Sequence, residues 1–206
     1  MTYPSTPSNT ANGLRDKPLW LRSGIVMAII VAGLFVIEAI DVATSERLES
    51  NGIVPRQIGG LDGIVWAPLL HDDWSHLIAN ATIGVVLGYM LLLTRRFLVV
   101  TAIVWVVSGL GVWLFSPPYT VTVGASGVIF GWLTFLLVRG IFNREIWQCL
   151  LGVVLLVIYG SVLWGVLPTV GGAVSWQGHL FGAIGGVLAA WWLGSRDRKS
   201  AATPTY

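Results

Sequence analysis

The sequence predicts an all-α polytopic membrane protein, a bundle of six transmembrane helices with both termini cytoplasmic. Three observations carry this. Only 11% of the 206 residues are charged and 55% are hydrophobic, whereas a soluble domain has about 25% charged residues. Two long stretches, 97–138 and 146–195, contain no charge at all. Each exceeds the roughly 20 apolar residues that one spanning helix needs. The basic residues collect at every other junction between the apolar segments, which places most of them on one side of a membrane.

Each element can be justified in order. Residues 1–20 are mostly polar and include Pro4, Pro7 and Pro18. They lack the apolar core and cleavage site of a signal peptide and read as a disordered cytoplasmic tail. The membrane domain is placed at 21–195. Its first span is Ser23–Val42. The second is Trp74–Leu93, stopped by Arg95 and Arg96. Pro117 and Pro118 divide the next stretch into Phe97–Phe115 and Ala125–Val138, because proline cannot continue a helix. Pro168, Gly171 and Gly172 divide the last stretch into Ile146–Leu163 and Gly178–Leu193. Residues 196–206 read as a cytoplasmic C-terminal tail.

Orientation follows from lysine and arginine, which collect in cytoplasmic loops. Arg15, Lys17 and Arg22 precede the first span. Arg95 and Arg96 separate the second and third, and Arg139 and Arg144 the fourth and fifth. Arg196, Arg198 and Lys199 follow the sixth. With alternating spans, ten of the twelve basic residues share one side, leaving Arg47 and Arg56 opposite. The net charge of +2, with no long basic run, argues against a nucleic-acid partner. The single cysteine, Cys149, cannot form an internal disulfide and reads as a small apolar helix residue.

On this topology the second, fourth and sixth spans begin at the outer face. The polar residues of interest gather at those three ends: His71, His76 and Asn80, then Ser126, then His179. Ionisable groups at membrane depth are costly and point to function. Ser126 lies in Gly124-Ala125-Ser126-Gly127. At a helix start its neighbouring N–H groups lack intrahelical partners, as an oxyanion hole requires. The competing reading is a helix N-cap flanked by packing glycines. Val128 departs from the Gly-x-Ser-x-Gly elbow of soluble hydrolases. His179 is a candidate general base. Gly182 and Gly186 follow at a four-residue spacing, which favours close packing of the sixth span on the fourth. The competing reading is a structural histidine bonded to a carbonyl.

His76 and Asn80 are four residues apart and share a helix face. With the Ser126 N–H they supply three donors for an oxyanion. The alternative is a polar interfacial helix start, with Asp72 and Asp73 favoured by the helix dipole. His71, His76 and Asp73 are also metal-ligand types, but no His-Glu-x-x-His or cysteine pair accompanies them. Glu38 and Asp41 are the only acids within a predicted span, with Asp41 expected at the interface. With no carboxylate to orient His179, a Ser–His dyad is favoured over a triad. Phe130, one turn after Ser126, is expected to stack on the imidazole.

Together these residues resemble the rhomboid family of intramembrane serine proteases. The resemblance covers about Ile64 to Leu193. It rests on His71-x4-His76-x3-Asn80, on Gly124-Ala125-Ser126-Gly127, and on His179 with Gly182 and Gly186. The resemblance implies a serine endopeptidase with Ser126 as nucleophile and His179 as base. It implies His76, Asn80 and Ser126 in the oxyanion hole. His71, Gly124, Gly127, Phe130, Gly182 and Gly186 are supporting residues. No cofactor or metal is implied. The expected partners are transmembrane protein substrates and the lipid bilayer, with oligomeric state left open. The expected location is the cell membrane, as a multi-pass protein of a bacterial inner membrane. Two features depart from the family pattern: no Trp-Arg pair lies between Ala43 and Gly63, and Phe130 stands where a tyrosine is common.

Two roles are suggested for outer elements. The glycine-rich loop Pro168–Trp176 is a candidate lid, and the fifth helix with Trp147 and Trp164 a candidate lateral gate. For Trp147, interfacial anchoring is the competing role. Two other functions compete with proteolysis. A non-catalytic rhomboid-like protein would bind membrane clients, but should lack the serine or the histidine. A small transporter should show internal repeats, which the two halves of this chain do not.

Overall fold

The computed structural model describes Gly13 and residues 16–45, 48–169 and 174–202, with side chains described up to 196. Among these residues the fold is all-helical. It comprises α1 (Leu19–Ala43), α2 (Gly63–Trp66), α3 (Trp74–Leu93), α4 (Phe97–Phe115), α5 (Ser126–Asn143), α6 (Ile146–Tyr159) and α7 (Trp176–Ala202). A single antiparallel bridge joins Ile53 and Thr122. Among the described residues five helical segments are long and apolar enough to cross a bilayer: α1, α3, α4, α5, and α6 with its 3-10 extension to Val166. Helix α7 is longer, at 27 residues. Glycines, Gln177 and His179 interrupt its apolar character.

Several boundaries differ from those expected. Helix α1 starts four residues early, at Leu19, with Pro18 at its N-cap, where the proline has no N–H of its own to satisfy. Helix α5 runs five residues beyond Val138, past Arg139, to Asn143. The fifth expected span is α-helical only to Tyr159 and tightens to a 3-10 helix over Gly160–Val166. Helix α7 continues beyond Leu193 into the expected tail. Such ends depend on local backbone geometry, which apolar content does not report. Helix α2 has no counterpart among the expected elements, since four residues carry too little periodicity.

Helix α5 is the axis of the bundle. Every residue from Gly127 to Leu136 is buried, and α3, α4, α6 and α7 all pack around it. Helix α1 packs against α3 at the periphery. Large apolar residues of α1 and α6, such as Ile29, Val36, Val153 and Val157, are exposed. An apolar exterior around an apolar core is what a lipid solvent permits.

Two short turns at one end, Thr94–Arg96 and Arg144–Glu145, contain arginines in the left-handed region. Arg95 has φ 61° and Arg144 φ 59°. A non-glycine residue there costs on the order of 1 kcal/mol. A cation at the negative end of a helix offsets part of that cost. The opposite end is closed by the first long loop. Arg56 Nη1 donates to the carbonyls of Leu114 and Ser116, at 3.1 and 2.8 Å. Trp113 Nε1 donates to Gln57 O, and Trp105 Nε1 to Ile64 O. Asp41, near the end of α1, is buried and accepts from Leu48 N at 2.8 Å.

The contact between α5 and α7 is made by glycines. A Cβ on Gly182 would collide with the Gly127 carbonyl, and one on Gly186 with the Gly131 carbonyl and the Thr134 hydroxyl. Thr134 Oγ1 donates to Ala183 O at 2.9 Å. Replacing Gly182 by alanine is therefore expected to cost about 1–3 kcal/mol through overpacking. A Cβ on Gly33 of α1 would meet nothing within 4 Å, so Gly33→Ala should be neutral or slightly stabilising. Thermal unfolding in detergent should lower Tm for Gly182→Ala only.

Candidate active site

Ser126 opens α5, so the first N–H groups of that helix lack intrahelical partners. The turn before it is held by Gly124, whose N–H donates to Ala67 O at 2.8 Å and whose φ is +113°. Only glycine adopts that conformation without strain. A Cβ on Gly124 would also lie 2.6 Å from His76 Cε1, 2.8 Å from His76 Nε2 and 3.8 Å from Asn80 Nδ2. The side chains of His76 and Asn80 thus face the backbone two residues before Ser126.

His76 and Asn80 are on the first two turns of α3. Asp73 is the N-cap, accepting from His76 N at 2.7 Å. That cap sets where the helix begins, and therefore which face His76 occupies. Asn80 is buried, and its Nδ2 donates to His76 O at 3.1 Å. His76 Nδ1 donates to the Asp72 carboxylate. His71 is packed edge-on to His76, with ring centroids 5.2 Å apart. It lies in the turn before α3 and is 1% exposed. Among the described residues neither ring nitrogen meets a hydrogen-bond partner.

His179 sits on the first turn of α7. Its Nδ1 lies 2.9 Å from Gly165 O. A carbonyl can only accept, so Nδ1 carries the proton and Nε2 holds the basic lone pair. The ring stacks on Phe130 with centroids 4.0 Å apart and planes at 9°. Gly165 is pressed against both: a Cβ there would be 2.8 Å from Phe130 Cζ and 3.0 Å from His179 Nδ1. The start of α7 is tied to α4 by Ser108, whose Oγ donates to Gly178 O at 2.9 Å.

Helices α5 and α7 meet beside the two candidate catalytic residues. A Cβ on Gly127, next to Ser126, would lie 3.0 Å from the carbonyl oxygen of Gly178, next to His179. Among the described residues no hydrogen bond joins the Ser126 hydroxyl to the His179 ring. An open cavity of about 950 Å³ lies at this end of the bundle. Asp72, His76, Ser116, Thr122 and Gln177 are among its lining residues; Ser126 and His179 are not. Among the described residues no three His, Cys, Asp or Glu side chains converge to hold a metal ion.

The Rhomboid domain family model matches residues 60–196. The chain belongs to the rhomboid family. An uncharacterized protein of Mycobacterium tuberculosis is 44% identical over 208 residues, covering 97% of this chain and 85% of that protein. An uncharacterized protein of Mycobacterium leprae is 44% identical over 194 residues, covering 89% and 76% respectively. A Toxoplasma gondii protein named Rhomboid-like protease 5 is 30% identical over 174 residues, covering 76% of this chain and 20% of its own length. Family and apolar helices together make this rhomboid a multi-pass membrane protein.

All the site residues expected from the sequence lie in this rhomboid's α3, α5 and α7 or in the turns that precede them. His76, Asn80 and Gly124 come together, as do Phe130 and His179, and Gly127, Gly182 and Gly178. Three participants lie outside the sequence expectation: Ser108, Gly165 and the Asp72–His76 pair. Asp72 precedes His76 by four residues, a spacing that the sequence displays. Ser108 and Gly165 act through contacts with residues far along the chain, which no local pattern reveals. The candidate lid, Pro168–Trp176, lies partly outside the described residues, at 170–173. Trp147 and Trp164 are both exposed.

Burial, and then the neighbouring His76 ring, push the His71 imidazole down to about 4, against a partial opposing effect of Asp72. Between pH 6.5 and 4 the unfolded chain then binds a proton that the folded chain refuses. Stability from this group is complete above pH 6.5 and is lost as pH falls through that window. The Asp73 carboxyl is also lowered, chiefly by the Ser75 hydroxyl and then by the His76 N–H. Its stabilising effect is lost at lower pH, below the ordinary carboxylate range. Unfolding midpoints of wild type and His71→Gln should therefore converge as pH falls from 7 to 5. A constant difference would reject the assignment.

Proposed function

We propose that this protein is an intramembrane serine endopeptidase that cleaves transmembrane substrates near the outer membrane face. The reading assigns six spans, with α7 as the sixth, and both termini in the cytoplasm of a bacterial cell. The observation that carries it is the setting of His179. Its Nδ1–H is engaged by Gly165 O, its face is stacked on Phe130, one helical turn after Ser126, and its Nε2 is left basic. A general base needs that tautomer. Hydrogen bonds between base and nucleophile are often long before substrate binds.

The chemistry follows that of serine acyl transfer. Ser126 Oγ attacks the scissile carbonyl carbon while its proton passes to His179 Nε2. The carbonyl oxygen becomes an oxyanion, accepting from Ser126 N–H and from the side chains of His76 and Asn80. His179 then protonates the leaving amine as the C–N bond breaks. Water attacks the acyl-enzyme, gives a proton to His179, and releases the new carboxyl terminus as Ser126 recovers its own. The polar outer cavity, with His76 on its wall, is a route for that water into an otherwise apolar bundle.

A substrate helix hides its carbonyls in hydrogen bonds. Substrates with Gly, Pro or small polar residues near the outer surface unwind more readily and are the preferred class. The alternative is a non-catalytic rhomboid-like protein that binds clients. Retention of both Ser126 and His179 favours the enzyme.

The test is cleavage of a generic transmembrane substrate by purified protein in detergent or liposomes. Ser126→Ala and His179→Ala should each lower turnover by at least about 10³-fold. His76→Ala or Asn80→Ala should lower it by about 10²–10³-fold. Cleavage that persists in Ser126→Ala rejects the nucleophile.

A further inference from the structure

The Asp72–His76 contact has no part in the mechanism above, and its geometry constrains that mechanism. His76 presents two nitrogens to two different places. Nδ1 meets the Asp72 carboxylate. Nε2 faces the Gly124 backbone, 2.8 Å from where a Cβ would sit, two residues before Ser126. The carboxylate can only accept, so Nδ1 must carry a proton. In a neutral ring Nε2 would then be a bare acceptor, unable to donate to an oxyanion. The ring donates from Nε2 only when both nitrogens are protonated.

We propose that Asp72 is a positioning residue that holds His76 as an imidazolium, with its Nε2–H aimed at the oxyanion formed beside Ser126. This deepens the endopeptidase reading and rests on it. The carboxylate supplies the counter-charge that favours the doubly protonated ring. It also fixes the ring's rotation through a bond to an atom four residues earlier on the same chain segment. The oxyanion thereby meets a charged donor, and charged donors form the stronger hydrogen bonds.

Side-chain exposure fits a role in charge rather than in folding. Asp72 is 52% and His76 28% exposed, and such pairs add little stability. Both line the outer cavity, where substrate and water arrive. The other titratable groups facing His76 are His71 and Asp73 beside it, Glu38 from α1 and His179 from α7. His71 and His179 carry no negative charge to replace that of Asp72. Glu38 and Asp73 make no described hydrogen bond to the His76 ring.

The experiment compares wild type, Asp72→Asn, Asp72→Glu and Ser126→Ala in detergent. The chain has three histidines, so ¹⁵N-histidine spectra resolve His76 once a His76→Gln control assigns it. Asp72→Asn keeps an acceptor for Nδ1–H but removes the charge. The His76 ¹⁵N pattern at neutral pH should change from two protonated ring nitrogens in wild type to one protonated and one bare nitrogen in this variant. Turnover at pH 8 should fall about tenfold through kcat, with KM and Tm unchanged, and Asp72→Glu should restore most of it. An unchanged His76 ¹⁵N pattern in Asp72→Asn overturns the proposal whatever the activity. So does a loss confined to KM or Tm. Cleavage by Ser126→Ala would instead overturn the endopeptidase reading, and the ¹⁵N pattern would still decide the charge state of His76.

Discussion

Everything at the candidate site depends on how closely α5 and α7 approach. In lipid there is no hydrophobic drive to bring two apolar helices together, so packing and interhelical hydrogen bonds must do it. Here the backbones touch through Gly127, Gly131, Gly182 and Gly186. Thr134 adds a bond to Ala183 O, and Ser108 one from α4 to Gly178 O. A methyl group at any of these glycines would push the helices apart. Because Gly127 adjoins Ser126 and Gly178 adjoins His179, that approach also brings the ends carrying Ser126 and His179 together.

The setting of His179 shows how a buried imidazole is oriented without a carboxylate. A charged partner would add a large desolvation cost in an apolar bundle. A backbone carbonyl and an aromatic face achieve the same two ends: a defined tautomer and a fixed ring plane. Gly165 must be a glycine here, since it lies against both Phe130 and the imidazole. The 3-10 segment Gly160–Val166 turns that carbonyl toward α7. On α3 the chemistry differs. His76 opens onto a water-accessible cavity, and there a carboxylate partner is tolerated.

The loop between α1 and α3 acts as a clamp. Its contacts to α4 are made by Arg56, Trp105 and Trp113 through backbone carbonyls. The bridge from Ile53 to Thr122 pins it to the strand-like run that leads to Gly124. The Trp-Arg pair usual in the family is missing from this loop, but Arg56 still binds it to the end of α4. Gly124 then takes its positive φ from a backbone held at both sides.

Much of this was legible in the chain itself. Apolar length and proline breaks located the long helices, because burying or solvating a helix in lipid is a property of composition. The gathering of His71, His76, Asn80, Ser126 and His179 at one end followed from counting alternating helices. The glycine spacing at 182 and 186 identified the face on which α7 packs. What only the tertiary structure decided were the partners of those polar atoms. Gly165 is fourteen residues from His179, Ser108 is seventy from Gly178, and Arg56 is about sixty from the carbonyls it binds. A sequence states which groups need hydrogen bonds in an apolar medium; the folded backbone decides which carbonyls are close enough to make them.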